Sequence, residues 1–400
     1  MSDHPDIGRV QAIGILAFYL MINGSVTRAY NTLSHAIRHA MALGLHLVVT
    51  DRLVDPPERS RRAMTWYSLY SLEILLGEIT GRPTSISVSN VTLPITILEQ
   101  RQKLCLEQPA QLDEQVDSVK IRRFWVQFLC QQRENSQMMA HGPMPSTKDF
   151  ATIEEDVPPS HFPHRLRLCH LSDKVGTQLY MGHAQPSWSE IQRRVRELQA
   201  ELRDWLQGLP VELALQSSET RRMGARVKIE LNMYYHSVQM ILHRPCLCDG
   251  EIADESHGSQ EFNHECARAC VHAAMNMLAA IPDDPSAHEA YQMLPWWALL
   301  HYLGQAASVL LVELSLDSQH FQNEPGELIR HLKKAMAYLR CMAERSLSAY
   351  RLWRICRQLL DQVRPRYGDL DVADLPLLAP QPVGWTEEDE NNIQNAFSRA

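Results

Sequence analysis

Helical periodicity is the feature of this sequence that most restricts its fold, because it recurs along most of the chain while the alternation typical of strands is nearly absent. Residues 25–44 show it through apolar side chains at three- and four-residue steps: Ala29, Leu33, Ile37, Ala40 and Leu43. Gly44 follows, where a helix often ends in a left-handed cap. The pattern therefore predicts an amphipathic helix with a defined end.

The same periodicity predicts further helices over residues 57–80, 97–139, 187–207, 219–243, 259–281 and 325–343, with a last helix reaching 363. Asp55 and Pro56 indicate a helix start, and the stretch "SWSE" from Ser187 is a capping box. Gly and Pro residues interrupt the pattern. We therefore predict an all-α fold, a large multi-helix domain with an extended turn at about 81–96 and an irregular loop at about 142–163.

The 400 residues are expected to form one helical domain over 1–365, followed by a C-terminal tail over 366–400. The most apolar stretch, residues 294–314, approaches the ~20 residues of a membrane span. It carries His301, Gln305 and Glu313, which favours a central buried helix instead. No membrane association is predicted.

The formal net charge of -8 argues against a chain whose main surface binds nucleic acid. Short basic clusters are separated by acidic residues and are typical of solvated helix faces: Arg59/Arg61/Arg62, Arg122/Arg123, Arg193/Arg194/Arg196 and Arg221/Arg222. The nine cysteines form no regular disulfide spacing, which indicates a reducing compartment such as the cytosol or nucleus.

Two stretches hold cysteines and histidines close together in the sequence: "HRPCLCDG" at 243–250 and "HECARACVH" at 264–272. A tetrahedral zinc site is one interpretation, but there is no Cys-x2-Cys pair. Cys266 and Cys270 share a helix face with apolar residues, so packing in the core is favoured. Phosphate-binding loops, nucleophile elbows and His-Glu-x2-His motifs are absent from the sequence. We therefore assign no catalytic, cofactor-binding or metal-binding residues and expect no cofactor.

The run "PPERSRRAMTWYSLYSLEILLGEITGRPTSIS" (56–87) contains Glu73 among apolar neighbours. A buried carboxylate must be paired or hydrogen-bonded, because leaving it alone costs several kcal/mol. Arg38 on the preceding helix and Arg82 in the following turn are the nearest basic candidates, so we predict an ion pair between Glu73 and one of them. A catalytic acid is the less favoured interpretation, because no nucleophile or metal motif accompanies the residue.

The order of these pieces resembles the fungal-specific transcription factor domain, the regulatory middle region of fungal zinc binuclear cluster transcription factors. The similarity covers about residues 10–360. It rests on a helix ending in Gly-Leu-His, a Glu-x2-Arg-Arg-x3-Trp helix, a Gly-Arg-Pro turn and a later Arg-Pro. The residues that match are Arg38, Gly44, Glu58, Arg61, Arg62, Trp66, Glu73, Gly81, Arg82, Pro83, Arg244 and Pro245.

The resemblance implies a regulator of a fungal metabolic or biosynthetic gene set that acts in the nucleus, shared with the cytoplasm. The family's DNA-binding members carry an N-terminal cluster of six cysteines that holds two zinc ions. The first cysteine here is Cys105, so we expect this chain to begin inside the regulatory domain and not to bind DNA directly. Co-regulators or a DNA-binding partner, a small-molecule effector and homodimerisation are the implied interactions. The alternative is a helical domain recruited as an enzyme or small-molecule-binding protein in secondary metabolism.

Overall fold

The structure is a computed structural model that describes residues 6–49, 54–98, 160–181, 186–215, 225–247, 256–285, 293–317, 319–321, 325–344, 346–367 and 386. Within these ranges the chain forms ten α-helices and no strand. The predicted all-α class is confirmed. The helices are α1 (Ile7–Ile22), α2 (Val26–Ala42), α3 (Pro56–Thr80), α4 (His161–Val175), α5 (Trp188–Gln207), α6 (Ala225–His243), α7 (His257–Ala279), α8 (Trp296–Ser315), α9 (Pro325–Ala343) and α10 (Leu347–Val363).

Most helices follow the predicted bounds closely, but α4 was missed by the sequence pattern. Its first residues, 161–163, fall at the end of the predicted irregular loop and are helical. Two prolines precede α4 and a third lies inside its first turn, where proline does no harm, so composition alone favoured a loop. The predicted helix over 97–139 lies outside the described residues from 99 onward, as do residues 142–159 and all but the first two residues of the tail apart from Thr386.

Local sequence signals explain where these helices begin and end. The Asp55 carboxylate accepts the Glu58 backbone N–H at 3.1 Å at the start of α3, and the Ser187 hydroxyl accepts the Glu190 N–H at 3.3 Å at the start of α5. Gly81 ends α3 with a positive φ of 64°. These side chains satisfy backbone groups that the first and last turns of a helix leave unpaired.

Small residues allow α1, α2 and α3 to pack closely. Ala29, Ala36 and Ala40 are fully buried on α2. Gly14 of α1 faces Leu69 of α3 so closely that an added Cβ would lie 2.7 Å from the leucine Cδ2. The three helices therefore form an N-terminal unit whose spacing depends on side chains without bulk.

Helix α8 lies at the centre of the C-terminal helices and contacts α6, α7, α9 and α10. It is the one helix of the described residues that is long and apolar enough to cross a membrane, yet 61% of its apolar stretch is buried within the protein. Its Glu313 is fully buried and accepts both the backbone N–H and the Nδ1 of His320, each at 2.8 Å. The predicted central buried helix is confirmed.

Gly81 offers a direct test of the turn that follows α3. We expect Gly81→Ala to lower the free energy of unfolding by about 1 kcal/mol, because a Cβ at positive φ is strained, and Gly81→Asn to cost less. The measurement is urea denaturation followed by circular dichroism. Gly176→Ala is the matched control, because its added Cβ meets no atom within 4 Å at a helical φ of −58°. Equal effects of the two alanine variants would contradict this assignment.

Candidate functional site

The motif residues on α2 and α3 form a hydrogen-bonded connection between the two helices. Nη2 of Arg62 donates to the Leu43 carbonyl at 2.7 Å and so satisfies one of the free carbonyls at the end of α2. Trp66 is fully buried, with its ring centroid 5.5 Å from that of His46. Glu58 and Arg61 form an ion pair of 2.7 Å within the first turns of α3. Gly44 takes the predicted left-handed conformation, with φ 66°.

The Gly-Arg-Pro turn is attached to α2. Nη2 of Arg82 donates to the Thr27 hydroxyl at 3.1 Å, and the guanidinium lies 5.2 Å from the centre of the Tyr30 ring. The Tyr30 hydroxyl donates to the Pro83 carbonyl at 2.8 Å. The turn is therefore held from α2 by contacts that need both the arginine and the proline carbonyl.

The later Arg-Pro pair lies at the end of α6, and its arginine also contacts a tyrosine ring of a neighbouring element. Arg244 and Pro245 belong to a 3-10 turn over Arg244–Leu247. The Arg244 guanidinium lies 5.2 Å from the centre of the Tyr180 ring, and the Tyr180 hydroxyl donates to the Ile241 carbonyl at 2.6 Å. Tyr180 ends a π-helical turn, Gly176–Tyr180, that continues α4. Arg244 and Tyr180 thus attach the end of α6 to the end of α4.

The predicted ion pair of Glu73 with Arg38 or Arg82 is wrong. Glu73 is 2% exposed and accepts the Ser85 backbone N–H at 2.8 Å as well as the Ser85 hydroxyl. Arg38 is exposed on the outer face of α2, and Arg82 is directed at Thr27 and Tyr30. Burial raises the pKa of Glu73, whereas the Ser85 hydrogen bonds lower it. The carboxyl therefore holds the chain after the Gly-Arg-Pro turn against α3 without a cationic partner.

A pair of substitutions separates the observed partner of Glu73 from the predicted one. Ser85→Ala removes a donor from a buried carboxyl, and we expect it to lower the free energy of unfolding by about 1–2 kcal/mol. Arg38→Ala should change it by less than about 0.5 kcal/mol, because the guanidinium is exposed. Chemical denaturation of both variants is the measurement. A larger loss in Arg38→Ala than in Ser85→Ala would restore the ion-pair interpretation.

A cluster of polar side chains lies where α3, α4 and α6 meet, and we call it the polar junction. Its members are Ser71, Glu78, Arg165, Cys169, Ser172, Asp173, Glu230 and Tyr234. Nε of Arg165 donates to Glu230 at 2.6 Å, Nη1 donates to the Ser71 hydroxyl, and the guanidinium lies 5.5 Å from the centre of the Tyr234 ring. His161 adds a second contact to Glu230 at 2.8 Å. One guanidinium thus joins three helices.

The pKa values of Arg165 and Glu230 are those of a stable ion pair. Burial alone would raise the pKa of Glu230, but Arg165 and His161 lower it to about 2. Burial would likewise lower the pKa of Arg165, and the Glu230 carboxylate raises it instead. Both side chains therefore stay charged across the physiological pH range.

Two further carboxyls at the polar junction accept hydrogen bonds from neutral donors. Glu78 accepts from the hydroxyls of Ser172 and, at 3.3 Å, Tyr234. Asp173 accepts from the Thr84 hydroxyl at 3.3 Å and from the Tyr70 hydroxyl at 3.5 Å. These bonds connect α3, the chain after its C-terminal turn, α4 and α6.

The junction holds no activated nucleophile. Burial raises the pKa of the Cys169 thiol to about 12, so the thiol stays protonated and unreactive at neutral pH. Burial also raises the pKa of Tyr234 well above its ordinary value. Within the described residues no group of three or more His, Cys, Asp or Glu side chains could hold a metal ion. The arrangement is therefore suited to joining helices.

The cysteines of the Cys and His stretches lie in the core, as predicted, where they are described. Cys246, Cys266 and Cys270 are buried and form no disulfide. The Cys270 thiol donates to the Met240 carbonyl at 3.4 Å. His243 is 1% exposed, and burial lowers its pKa to about 4. Cys248 lies outside the described residues.

Sequence reasoning missed most of the polar junction because its members are distant along the chain. A weak signal was present on α3, where Ser71, Ile74 and Glu78 recur at helical spacing on one side. Glu230 similarly stands one turn before Tyr234 on α6. Nothing in the sequence marked Arg165, because α4 itself was not predicted.

A double-mutant cycle on Arg165 and Glu230 tests the ion pair. Arg165→Met should lower the free energy of unfolding by about 3–5 kcal/mol, because it leaves the Glu230 carboxylate without its main cation. Arg165→Met combined with Glu230→Met should recover part of this loss, since no unpaired charge remains. Arg330→Ala, which breaks an exposed pair with Glu327 on α9, is the control and should change stability by less than about 1 kcal/mol. Additive effects of Arg165→Met and Glu230→Met would contradict the coupling.

The described geometry defines an α-helical scaffold whose helices are joined by buried hydrogen bonds and an ion pair. The chain matches the fungal-specific transcription factor domain over residues 2–207 and belongs to that family. This result confirms the family that the motif residues indicated. No solved structure matches the chain.

Proteins similar to this chain include fungal transcription regulators. Transcription regulator galc of Aspergillus niger is 26% identical over 433 residues, covering 98% of this chain and 50% of the relative. Transcription factor FBD3 of Fusarium pseudograminearum is 24% identical over 331 residues, covering 78% of this chain and 38% of the relative. Activator of stress genes protein 1 of Candida albicans is 24% identical over 273 residues, covering 65% and 25% respectively. The chain thus spans half or less of the length of these proteins.

Proposed function

We propose that this chain is a regulatory domain for transcription that acts in the nucleus through protein partners. The observation that carries the proposal is the match to the fungal-specific transcription factor domain over residues 2–207, together with relatives named as transcription regulators. A share of the protein in the cytoplasm is part of the same proposal. The genes it controls are proposed to belong to a metabolic or biosynthetic set.

The chemistry of the described residues supports a regulatory role over catalysis. The most polar buried region uses its charges to join helices, with Arg165 fixed by Glu230. The one cysteine of that region, Cys169, is 1% exposed and is held as the thiol by burial. An enzyme or a small-molecule-binding protein of secondary metabolism is therefore the less supported alternative.

Partners are proposed to be co-regulators or a protein that binds DNA itself. The net charge of -8 supports DNA binding by a partner and not by this chain, because the phosphates of a DNA duplex would repel the chain as a whole. A small-molecule effector and a homodimer are further proposals that follow from the family resemblance. Direct DNA binding by this chain is not proposed.

A reporter assay in a fungal host tests the regulatory role. The complete chain is fused to an unrelated DNA-binding module that recognises a site upstream of a reporter gene. We expect the fusion to change transcription several-fold relative to the module alone, because the domain would bring co-regulators to the promoter. The unfused chain should leave this reporter unchanged. A fusion that is present in the nucleus and has no effect would count against the proposal.

Two variants test whether the effect of the fusion in the reporter assay requires the folded domain. Arg165→Met should abolish the effect of the fusion, because it weakens the junction of α3, α4 and α6. Arg330→Ala should preserve it, because that ion pair is exposed on α9. Protein amounts measured by immunoblot separate loss of regulation from loss of the protein.

A further inference from the structure

The polar junction brings together more acids than cations. Glu78, Asp173 and Glu230 lie on the facing parts of α3, α4 and α6, where Arg165 is the one cation of the junction. Arg165 is committed to Glu230 at 2.6 Å and to the Ser71 hydroxyl. Glu78 and Asp173 have no cation within ion-pair distance among the described residues. Their negative charge is therefore not offset by a salt bridge.

The hydrogen-bond partners of these two carboxyls connect separate parts of the fold. Glu78 of α3 accepts from Ser172 of α4 and, at 3.3 Å, from Tyr234 of α6. Asp173 of α4 accepts from Thr84, after the turn that ends α3, at 3.3 Å. Every donor is a neutral hydroxyl. These hydrogen bonds around α3 and α4 therefore end on carboxyls that have no ion-pair partner.

We propose that Glu78 and Asp173 form a proton-sensitive latch between α3 and α4, closed when the carboxyls are protonated and loosened when both are ionised. Two negative charges at one buried joint repel each other and lose hydration. Protonation removes both costs, and a neutral carboxyl still accepts from the same hydroxyls, although more weakly than a carboxylate does. The latch is a property of the folded chain and stands independently of the proposed function.

The acidities of the two groups agree with this geometry. Burial raises the pKa of Glu78 from an ordinary 4.5 to about 6, against the lowering effects of its hydrogen bonds and of the nearby Arg165 guanidinium. Burial also raises the pKa of Asp173 from 3.8 to about 6, with a further increase from the nearby Glu73. Because the folded values lie above the unfolded ones, the stability that these groups contribute is full below about pH 4 and is lost as the pH rises through about 6.

Other titratable groups face the latch from each helix packed against it. They are Tyr70 and Glu73 on α3, Arg165, Cys169 and His170 on α4, Glu230 and Tyr234 on α6, and Tyr302 on α8. Burial raises the pKa of each tyrosine and of Cys169, so these groups stay neutral. Arg165 and Glu230 stay charged.

Two of these neighbours have pKa values that are shifted in known directions. Burial raises the pKa of Glu73, so its ionisation acts in the same sense as that of Glu78 and Asp173. Burial and the nearby Lys174 lower the pKa of His170, so this ring is neutral where the latch loosens. Lys174 itself is paired with Glu201 of α5 at 2.7 Å. Neither neighbour supplies a positive charge that would hold the ionised latch closed.

Amide hydrogen exchange of α4, followed by mass spectrometry, tests the latch in the full chain. The wild type is compared with Glu78→Gln/Asp173→Asn, whose amides cannot ionise, and the ratio of their exchange rates cancels the intrinsic effect of pH. Between about pH 5.5 and about pH 7.5 each carboxyl should increase local opening by about 4-fold, so the rate ratio of wild type to variant should rise about 15-fold. The expected result is an increase confined to α4 and the end of α3.

A ratio that stays constant between the two pH values would overturn the proposal. Glu190→Gln on α5 is the control, because the pKa of that exposed carboxyl is lowered to about 2 by Arg193 and Arg194 and its replacement should give a constant ratio. Circular dichroism verifies that each variant is folded. If the double variant does not fold, the single variants Glu78→Gln and Asp173→Asn decide the question, each with an expected rise of about 4-fold. A constant ratio in both would equally reject the latch.

Discussion

The Arg165 guanidinium is the interaction on which the joint between the N-terminal helices and the rest of the described fold depends. This half-buried positive charge is offset from α6 through Glu230, while a hydroxyl of α3 supplies a further contact. Removing any one helix would leave a charge or a donor without a partner. The ion pair therefore specifies how three helices meet, which apolar surfaces alone would define less sharply.

The buried and half-buried acids described in this protein fall into two groups with different physical consequences. Glu230 and Glu313 each have a basic side chain beside them, Arg165 in one case and His320 in the other. Glu73, Glu78 and Asp173 accept hydrogen bonds from hydroxyls and backbone N–H groups and have no ion-pair partner among the described residues. A carboxylate beside a cation favours ionisation, whereas a buried one without a cation favours the neutral form. The second group makes the joint between α3 and α4 responsive to protons.

Membership of the fungal-specific transcription factor domain family gives these features a context. Among the residues that suggested the family, Arg62, Arg82 and Pro83 attach α3 and its turn to α2. They are structural contacts, and the conformational stability of this unit is therefore connected to any regulatory surface that it carries.

The sequence by itself determined the helical class, the bounds of most helices and the family, because helical periodicity, caps such as Asp55 and the Gly-Arg-Pro turn are local signals. It also predicted correctly that Glu73 is buried and that residues 294–314 form a core helix. Only the tertiary structure decided which hydrogen-bond and ion-pair partners these polar side chains have. Glu73 bonds Ser85 and not an arginine, and Arg165, Glu230 and Asp173 meet from distant segments. Spacing along one helix says which side is buried, whereas the group that faces a buried charge depends on how several helices pack.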